Sequence, residues 1–383
     1  MAQIVYLHLG LPKTGTTYLQ SVLWANKAHL LEQGLLLPGE TSRTHMQASV
    51  VVREHPGLPN RAPEARDSWD RLVTEVNAWP GTALISHEFF GAASREQAHQ
   101  ALTRLAPAEV HLIITARDVL TVLTSYWQEF VKHGFLNGLD DFPPAGETYD
   151  EWSWSTVDLR SVVERWGAAV KPDRVHVLVL APPQAPRETL LHEFCALLGI
   201  DPTTLDTEQA REYGSLGVVE AELLRRTSPH LTAFTSARDR GVWIRSYLAQ
   251  EKLVPRGGER FLPSVERVAA LRERARDCVE FLRDSGVDVV GDLDRLLVPE
   301  ELPERRHPSS VTDTELLDAA ILTIVDLMVD VRSLREANTA LRAAAEEAVR
   351  LNPPPVVPVS FPRRLWRGLR RRFQGGSTTD PMP

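Results

Sequence analysis

The residues best suited to chemistry stand near the start of the chain. Gly10-Leu11-Pro12-Lys13-Thr14-Gly15-Thr16-Thr17 follows a short apolar run at 4–9 and precedes the helix-like spacing of Tyr18, Leu19, Val22 and Leu23. A glycine-containing loop between a strand and a helix leaves the first helical N–H groups unpaired and pointing outward. Together with the helix dipole they form an anion site, for which phosphate is the usual ligand. Gly15 permits close backbone approach, Thr16 and Thr17 add hydroxyls, and Lys13 adds a full positive charge. In a Walker loop the lysine and a Ser/Thr follow the second glycine, and that hydroxyl holds Mg²⁺. Here Thr16-Thr17 follows Gly15 and Lys13 lies two positions before it. The displaced lysine favours a phosphate donor whose transferred group needs a lysine and no metal.

Lys13-Thr14-Gly15-Thr16-Thr17 after a first strand resembles the 5′-phosphosulfate loop of PAPS-dependent sulfotransferases of the bacterial, carbohydrate-modifying type (PAPS is 3′-phosphoadenosine 5′-phosphosulfate). The resemblance implies that Lys13, Thr14, Gly15, Thr16 and Thr17 hold the 5′-phosphosulfate, with Lys13 at the bridging oxygen. It also implies an arginine at the end of a later strand and a serine eight positions on, reading the 3′-phosphate. Arg117 and Ser125 stand at that spacing after the strand candidate 110–115. An arginine forks onto phosphate oxygens, and two helical turns return a hydroxyl to the same end of a pocket. The loop Pro255-Arg256-Gly257-Gly258-Glu259-Arg260 lies where the family closes a basic segment over the 3′-phosphate. The usual Arg-Lys-Gly is absent, and Arg256 is the residue carried over. A softer similarity runs from Arg187 through Leu198-Gly199-Ile200. The resemblance covers about residues 1–300.

Sulfuryl transfer to a hydroxyl requires removal of the hydroxyl proton by a positioned base. His87 and Glu88 follow the strand candidate 83–86, and strand ends in a parallel sheet converge on the ligand crevice. Related enzymes use a histidine or a glutamate at such a strand end; Glu88 is preferred on the carbohydrate-type resemblance. The implied reaction moves a sulfuryl group from PAPS to a hydroxyl of a carbohydrate or glycolipid, giving adenosine 3′,5′-bisphosphate without a metal. Acceptor contacts are expected from the loops 40–66, 134–155 and 210–260. Two other readings stay open: a P-loop nucleotide kinase, and a non-catalytic coiled-coil scaffold on a degenerate nucleotide fold.

These residues need a frame. Strand candidates at 4–9, 83–86, 110–115 and 175–180 alternate with helix candidates at about 68–78, 94–105, 118–133, 156–170 and 187–198. Such alternation predicts an α/β fold with a central, mainly parallel sheet flanked by helices. The Gly-, Pro- and Trp-rich stretch 138–155 reads as a loop or lid, and 214–296 as mostly helical. A catalytic domain at 1–300 is then followed by a long helix at 312–351, a Pro-rich linker at 352–362 and a basic tail at 363–383. Along the helix, Ile324, Val331, Asn338 and Ala345 take heptad a positions, and Leu327, Leu334, Leu341 and Ala348 take d positions. That pattern predicts a parallel homodimer through 317–351.

Charge divides in the same way. The 383 residues carry 43 Lys+Arg and 51 Asp+Glu, a net −8. Six arginines lie between Arg363 and Arg372 without an acid, so the remainder stands at −14. An acidic body excludes general nucleic-acid coating. Leu365, Trp366, Leu369 and Phe373 share one helical face opposite arginines, which suits 361–373 to an anionic membrane surface. Two distant cysteines, Cys195 and Cys278, make neither a disulfide framework nor a metal motif. With no signal-peptide pattern at 1–10, the expected location is cytoplasmic, peripheral at the inner membrane face.

Overall fold

A computed structural model describes residues 2–144, 150–186, 188–208 and 214–351. The linker and basic tail at 352–383, Arg187, and parts of the predicted loops at 145–149 and 209–213 lie outside the described residues. Two compact units divide at Thr323 and Ile324.

The first unit is an α/β fold. Six strands were found among the described residues: β1 (Ile4–His8), β2 (Leu35–Leu36), β3 (Thr82–Ser86), β4 (Glu109–Ala116), β5 (Val175–Val179) and β6 (Asp288–Val290). They form one all-parallel sheet in the order β2-β3-β1-β4-β5-β6. Side chains alternate between faces. Val5, Leu7, Ile85, Ile114 and Val177 form one core with helices at Ser68–Ala78, Arg95–Leu105 and Leu159–Gly167. Leu84, Ile113 and Leu178 form another with α1 (Thr16–Ala25) and with Thr189–Leu198. Both faces are therefore covered, which is why β1, β4 and β5 are apolar almost throughout.

A third core surrounds α2 (Val119–Lys132). Its Leu120, Leu123, Trp127 and Phe130 pack with Leu224, Ile244, Leu253, Val268 and Leu271. Asp118 starts α2 by accepting from Thr121 N at 2.8 Å. The expected helix at 156–170 is shorter. Asp158 accepts from Ser161 N at 3.1 Å and begins a new helix at Leu159, behind a turn at Trp154–Val157. The stretch 40–66, read as loop, contains a helix at Ser42–Val52 whose buried side includes Thr44, His45 and Ser49. The stretch 214–296 holds β6 and a π-helical segment, Arg240–Leu253, as well as α-helices. The last helix, α3, runs from Asp313 to Leu351. No helix among the described residues is long and apolar enough to cross a membrane.

The N-terminal rim of the sheet carries a chain of side chains. His111 and His176 stack with ring planes 4° apart. Glu109 Oε1 lies 3.0 Å from His111 Nε2, His111 Nδ1 lies 2.9 Å from His176 Nε2, and His176 Nδ1 lies 2.6 Å from Asp288 Oδ2.

Candidate active site

The strand order fixes where a ligand can sit. From β1 the chain turns towards β2 and β3; from β4 it turns towards β5 and β6. The crevice between the C-terminal ends of β1 and β4 is the switch point, the usual ligand position in such sheets. The loop 9–15 leaves β1 there, and Arg117 follows β4.

The loop is pinned from below. Leu9 N and Leu11 N donate to Ile113 O and Thr115 O at 2.9 and 3.0 Å, extending the β1–β4 ladder. The buried Thr14 hydroxyl donates to Leu11 O at 2.5 Å and lies 2.7 Å from Thr115 Oγ1. His8, fully buried, places Nδ1 2.8 Å from Ser86 Oγ and Nε2 3.4 Å from Thr115 Oγ1. Burial pushes the His8 pKa down to about 4, against the pull of Glu88. One set of hydrogens satisfies this row: Ser86 donates to His8 Nδ1, His8 Nε2–H to Thr115, Thr115 to Thr14, and Thr14 to Leu11 O. The Thr14 hydroxyl is thus spent inside the fold, and the whole residue is buried. Thr16 is buried and Thr17 exposed.

Above this row the backbone bends sharply. Lys13 has φ 65 and Gly15 φ 82, both left-handed. Such a φ is strained for lysine. Gly15 begins α1, and no side chain caps that helix. The first-turn N–H groups of α1 therefore have no side-chain acceptor and can take an anion. Lys13 Nζ lies 3.4 Å from Glu129 Oε1 on α2. Glu129 also meets Lys132 at 3.1 Å and Arg245 at 3.5 Å. Burial alone would raise the Glu129 pKa, but these three cations bring it to about 2.

His87 and Glu88 stand at the end of β3. His87 Nδ1 accepts from Phe89 N at 3.2 Å and caps a short 3₁₀ turn, Glu88–Ala92. Its pKa is lowered by burial, with Glu88 opposing and Arg53 adding to the effect. Gln20, one turn into α1, donates to Glu88 Oε2 at 3.3 Å and to Ser86 Oγ at 3.4 Å. Burial would raise the Glu88 pKa; His87, a backbone N–H, Gln20 and His8 overcome it and hold the carboxyl below its ordinary value.

A cavity of about 670 Å³ opens beside α2. Arg117, Thr121 and Ser125 line it, together with Arg260 and Phe261 from the loop after the π-helical segment. Burial lowers the Arg117 pKa, Asp118 opposes this and Arg260 adds to it. Arg256 is turned elsewhere: its Nη1 donates to Ala319 O at 3.0 Å and Thr323 Oγ1 at 2.9 Å. The structure thus brings Arg117 and Ser125 to one wall, with Arg260 rather than Arg256 from the later loop. Lys13–Thr17, His87 and Glu88 are not part of that wall. The two regions are joined by α2, on which Thr121, Ser125 and Glu129 follow at intervals of four along one face.

No family model matches the sequence, and no curated protein matches it. A similar solved structure is the crystal structure of a sulfotransferase from Alicyclobacillus acidocaldarius. The two chains are 16% identical, the likeness covers 61% of this chain and 91% of that one, and the TM-score is 0.37.

Sequence reasoning did not single out His8, Gln20, Glu129 or Arg260. His8 stands within the first strand candidate, and Glu129 falls four residues after Ser125, so a helix drawn from Arg117 would have carried it onto the same face. Gln20 has no comparable local signal, whereas Arg260 ends the basic glycine-bearing loop from which only Arg256 was carried over. Among the described residues no group of three or more His, Cys, Asp or Glu side chains is arranged to hold a metal ion.

Proposed function

We propose that this chain is a PAPS-dependent sulfotransferase that moves a sulfuryl group to an acceptor hydroxyl, of a carbohydrate or glycolipid, and releases adenosine 3′,5′-bisphosphate. One observation supports the reading: α2 runs past two groups of cationic side chains. Ser125 lies in the cavity wall with Arg117 and Arg260, and one turn later Glu129 holds Lys13. A donor with a phosphate at 3′ and a phosphosulfate at 5′ needs two such groups at a fixed separation. The cavity volume is ordinary for a nucleotide-sized ligand.

Arg117, Ser125 and Arg260 hold the 3′-phosphate. Lys13 and the N–H groups from Gly15 to Thr17 hold the 5′ end. The donor supplies an activated sulfuryl group; the chain supplies charge and proton handling. Glu88 takes the proton as the acceptor oxygen bonds to sulfur and the bridging S–O bond breaks. His87 is the weaker choice, because its neutral lone pair is already occupied by Phe89 N–H. Lys13 stands against the charge that develops on the leaving oxygen. When Lys13 turns to the ligand, Lys132 and Arg245 still compensate Glu129. The tail at 361–373 keeps the enzyme on an anionic membrane face.

Thermal-shift measurements test the donor. PAPS and adenosine 3′,5′-bisphosphate should each raise the unfolding midpoint without Mg²⁺, and ATP should do less with or without it. A larger shift with ATP and Mg²⁺ would overturn the proposal. A screen of carbohydrate and glycolipid acceptors with labelled PAPS then identifies the acceptor.

A further inference from the structure

Beyond Thr323 the last helix presents an apolar seam to solvent. Ile324 is 59% exposed, Leu334 69% and Leu341 71%, and Val331 is exposed between them. With the half-buried Leu327, these residues follow the heptad alternation that keeps one seam on one side of a helix. From Arg332 on, polar side chains gather at the outer positions: Arg332, Ser333, Glu336, Thr339, Glu346 and Glu347. Two of the ion pairs there are intrahelical, Arg332 to Glu336 at 3.8 Å and Arg350 to Glu347 at 3.6 Å. From Arg332 on the outer face thus satisfies its own charges, while the seam has large aliphatic side chains in water; before Arg332, Val325, Met328 and Val329 are exposed outside the seam as well. Burying such side chains removes apolar surface from water, so a helix with this surface favours a partner of the same shape.

From these features we infer that residues 324–351 form a parallel, in-register, two-stranded coiled coil with a second copy of this chain. Three features select that occupant. Ile324 and Val331 at a with Leu327, Leu334 and Leu341 at d favour two strands. Asn338 lies at an a position, where it meets its own equivalent only in a parallel pair in register. Asp330 at g faces Arg335 at the following e of the partner, so the flanking charges are complementary in this orientation. Alanines at 344, 345 and 348 let the two helices approach closely near the end of the seam.

Sedimentation equilibrium of the full chain across the micromolar range tests the pairing. Dimer is the expected species, and Leu334→Glu with Leu341→Glu should convert it to monomer. Both side chains are exposed in the single chain, so a retained cooperative unfolding transition and an unchanged near-UV circular dichroism spectrum check that the variant's first unit is folded. Asn338→Leu should hold dimers together at lower concentration and admit larger species. Ala348→Cys tests direction: parallel copies place the two sulfurs together and give a disulfide-linked dimer on mild oxidation. Antiparallel copies separate them by about 36 Å and give none. A monomeric native chain, a dimer that survives the double substitution, or a dimer that does not cross-link at 348 would each overturn the inference. So would a monomeric chain whose binding to phosphatidylcholine vesicles is abolished by the same double substitution, since the seam would then face lipid.

Discussion

Glu88 and His87 are adjacent but have different hydrogen-bond duties. Gln20 donates to the Glu88 carboxylate, whereas His87 accepts from a backbone N–H and shapes the turn. Glu88→Gln should therefore lower the transfer rate by roughly 10²–10⁴. His87→Asn should cost less, because an amide oxygen can accept the same N–H. Initial rates at saturating PAPS decide; the opposite order would make His87 the base. Two other buried histidines should contribute to acid lability. His8 and His45 both have folded pKa values lowered by burial to about 4, from an ordinary 6.5. As pH falls the unfolded chain takes up these protons first. The contribution is complete above about pH 6.5 and is lost progressively towards pH 4, up to roughly 3 kcal/mol for each histidine. Guanidinium midpoints should fall between about pH 7 and pH 5 in the native chain. His8→Gln with His45→Gln should start lower and fall less. Residue-scale legibility followed distance along the chain. Lys13, Arg117 and Ser125 stand in local patterns, while Lys13 and Glu129 lie 116 residues apart and meet only through folding. Arg256 and Arg260 are separated by Gly257 and Gly258, at φ 70 and 117, and that turn sends their side chains different ways.

Elements were legible where burial was continuous. The strands β1, β3, β4 and β5 are covered on both faces and stand out as apolar runs. The edge strands β2 and β6 have two and three residues, too short for any period to show. The helix Ser42–Val52 escaped for a different reason: it buries a histidine, a serine and a threonine, so its inner face looks polar. Gly15 is the position where element geometry is most demanding. At its φ of 82, a Cβ would lie 2.4 Å from Leu190 Cδ2. Gly15→Ala combines a left-handed strain of about 1–2 kcal/mol with displacement of that leucine. It should lower the thermal midpoint, and it should weaken adenosine 3′,5′-bisphosphate more than a stability loss alone explains. Titration calorimetry at a temperature where the variant is folded separates the two; unchanged affinity would mean that the α1 N-terminus does not hold the ligand.

At the scale of the molecule, charge is partitioned between an acidic body and a basic end. The full chain should sediment with anionic vesicles and release at high salt, whereas a chain ending at Leu351 should stay in the supernatant; equal sedimentation would remove the membrane role. The sheet is polarised too. Every residue assigned to the ligand leaves the C-terminal strand ends or the elements beyond them. The stacked His111 and His176 lie at the other rim, about 16 Å away along β4. An NMR titration therefore has its internal standard built in. Imidazole signals from that pair should stay still while donor is added and move only when the sheet opens, so one spectrum separates occupancy of the crevice from loss of the fold.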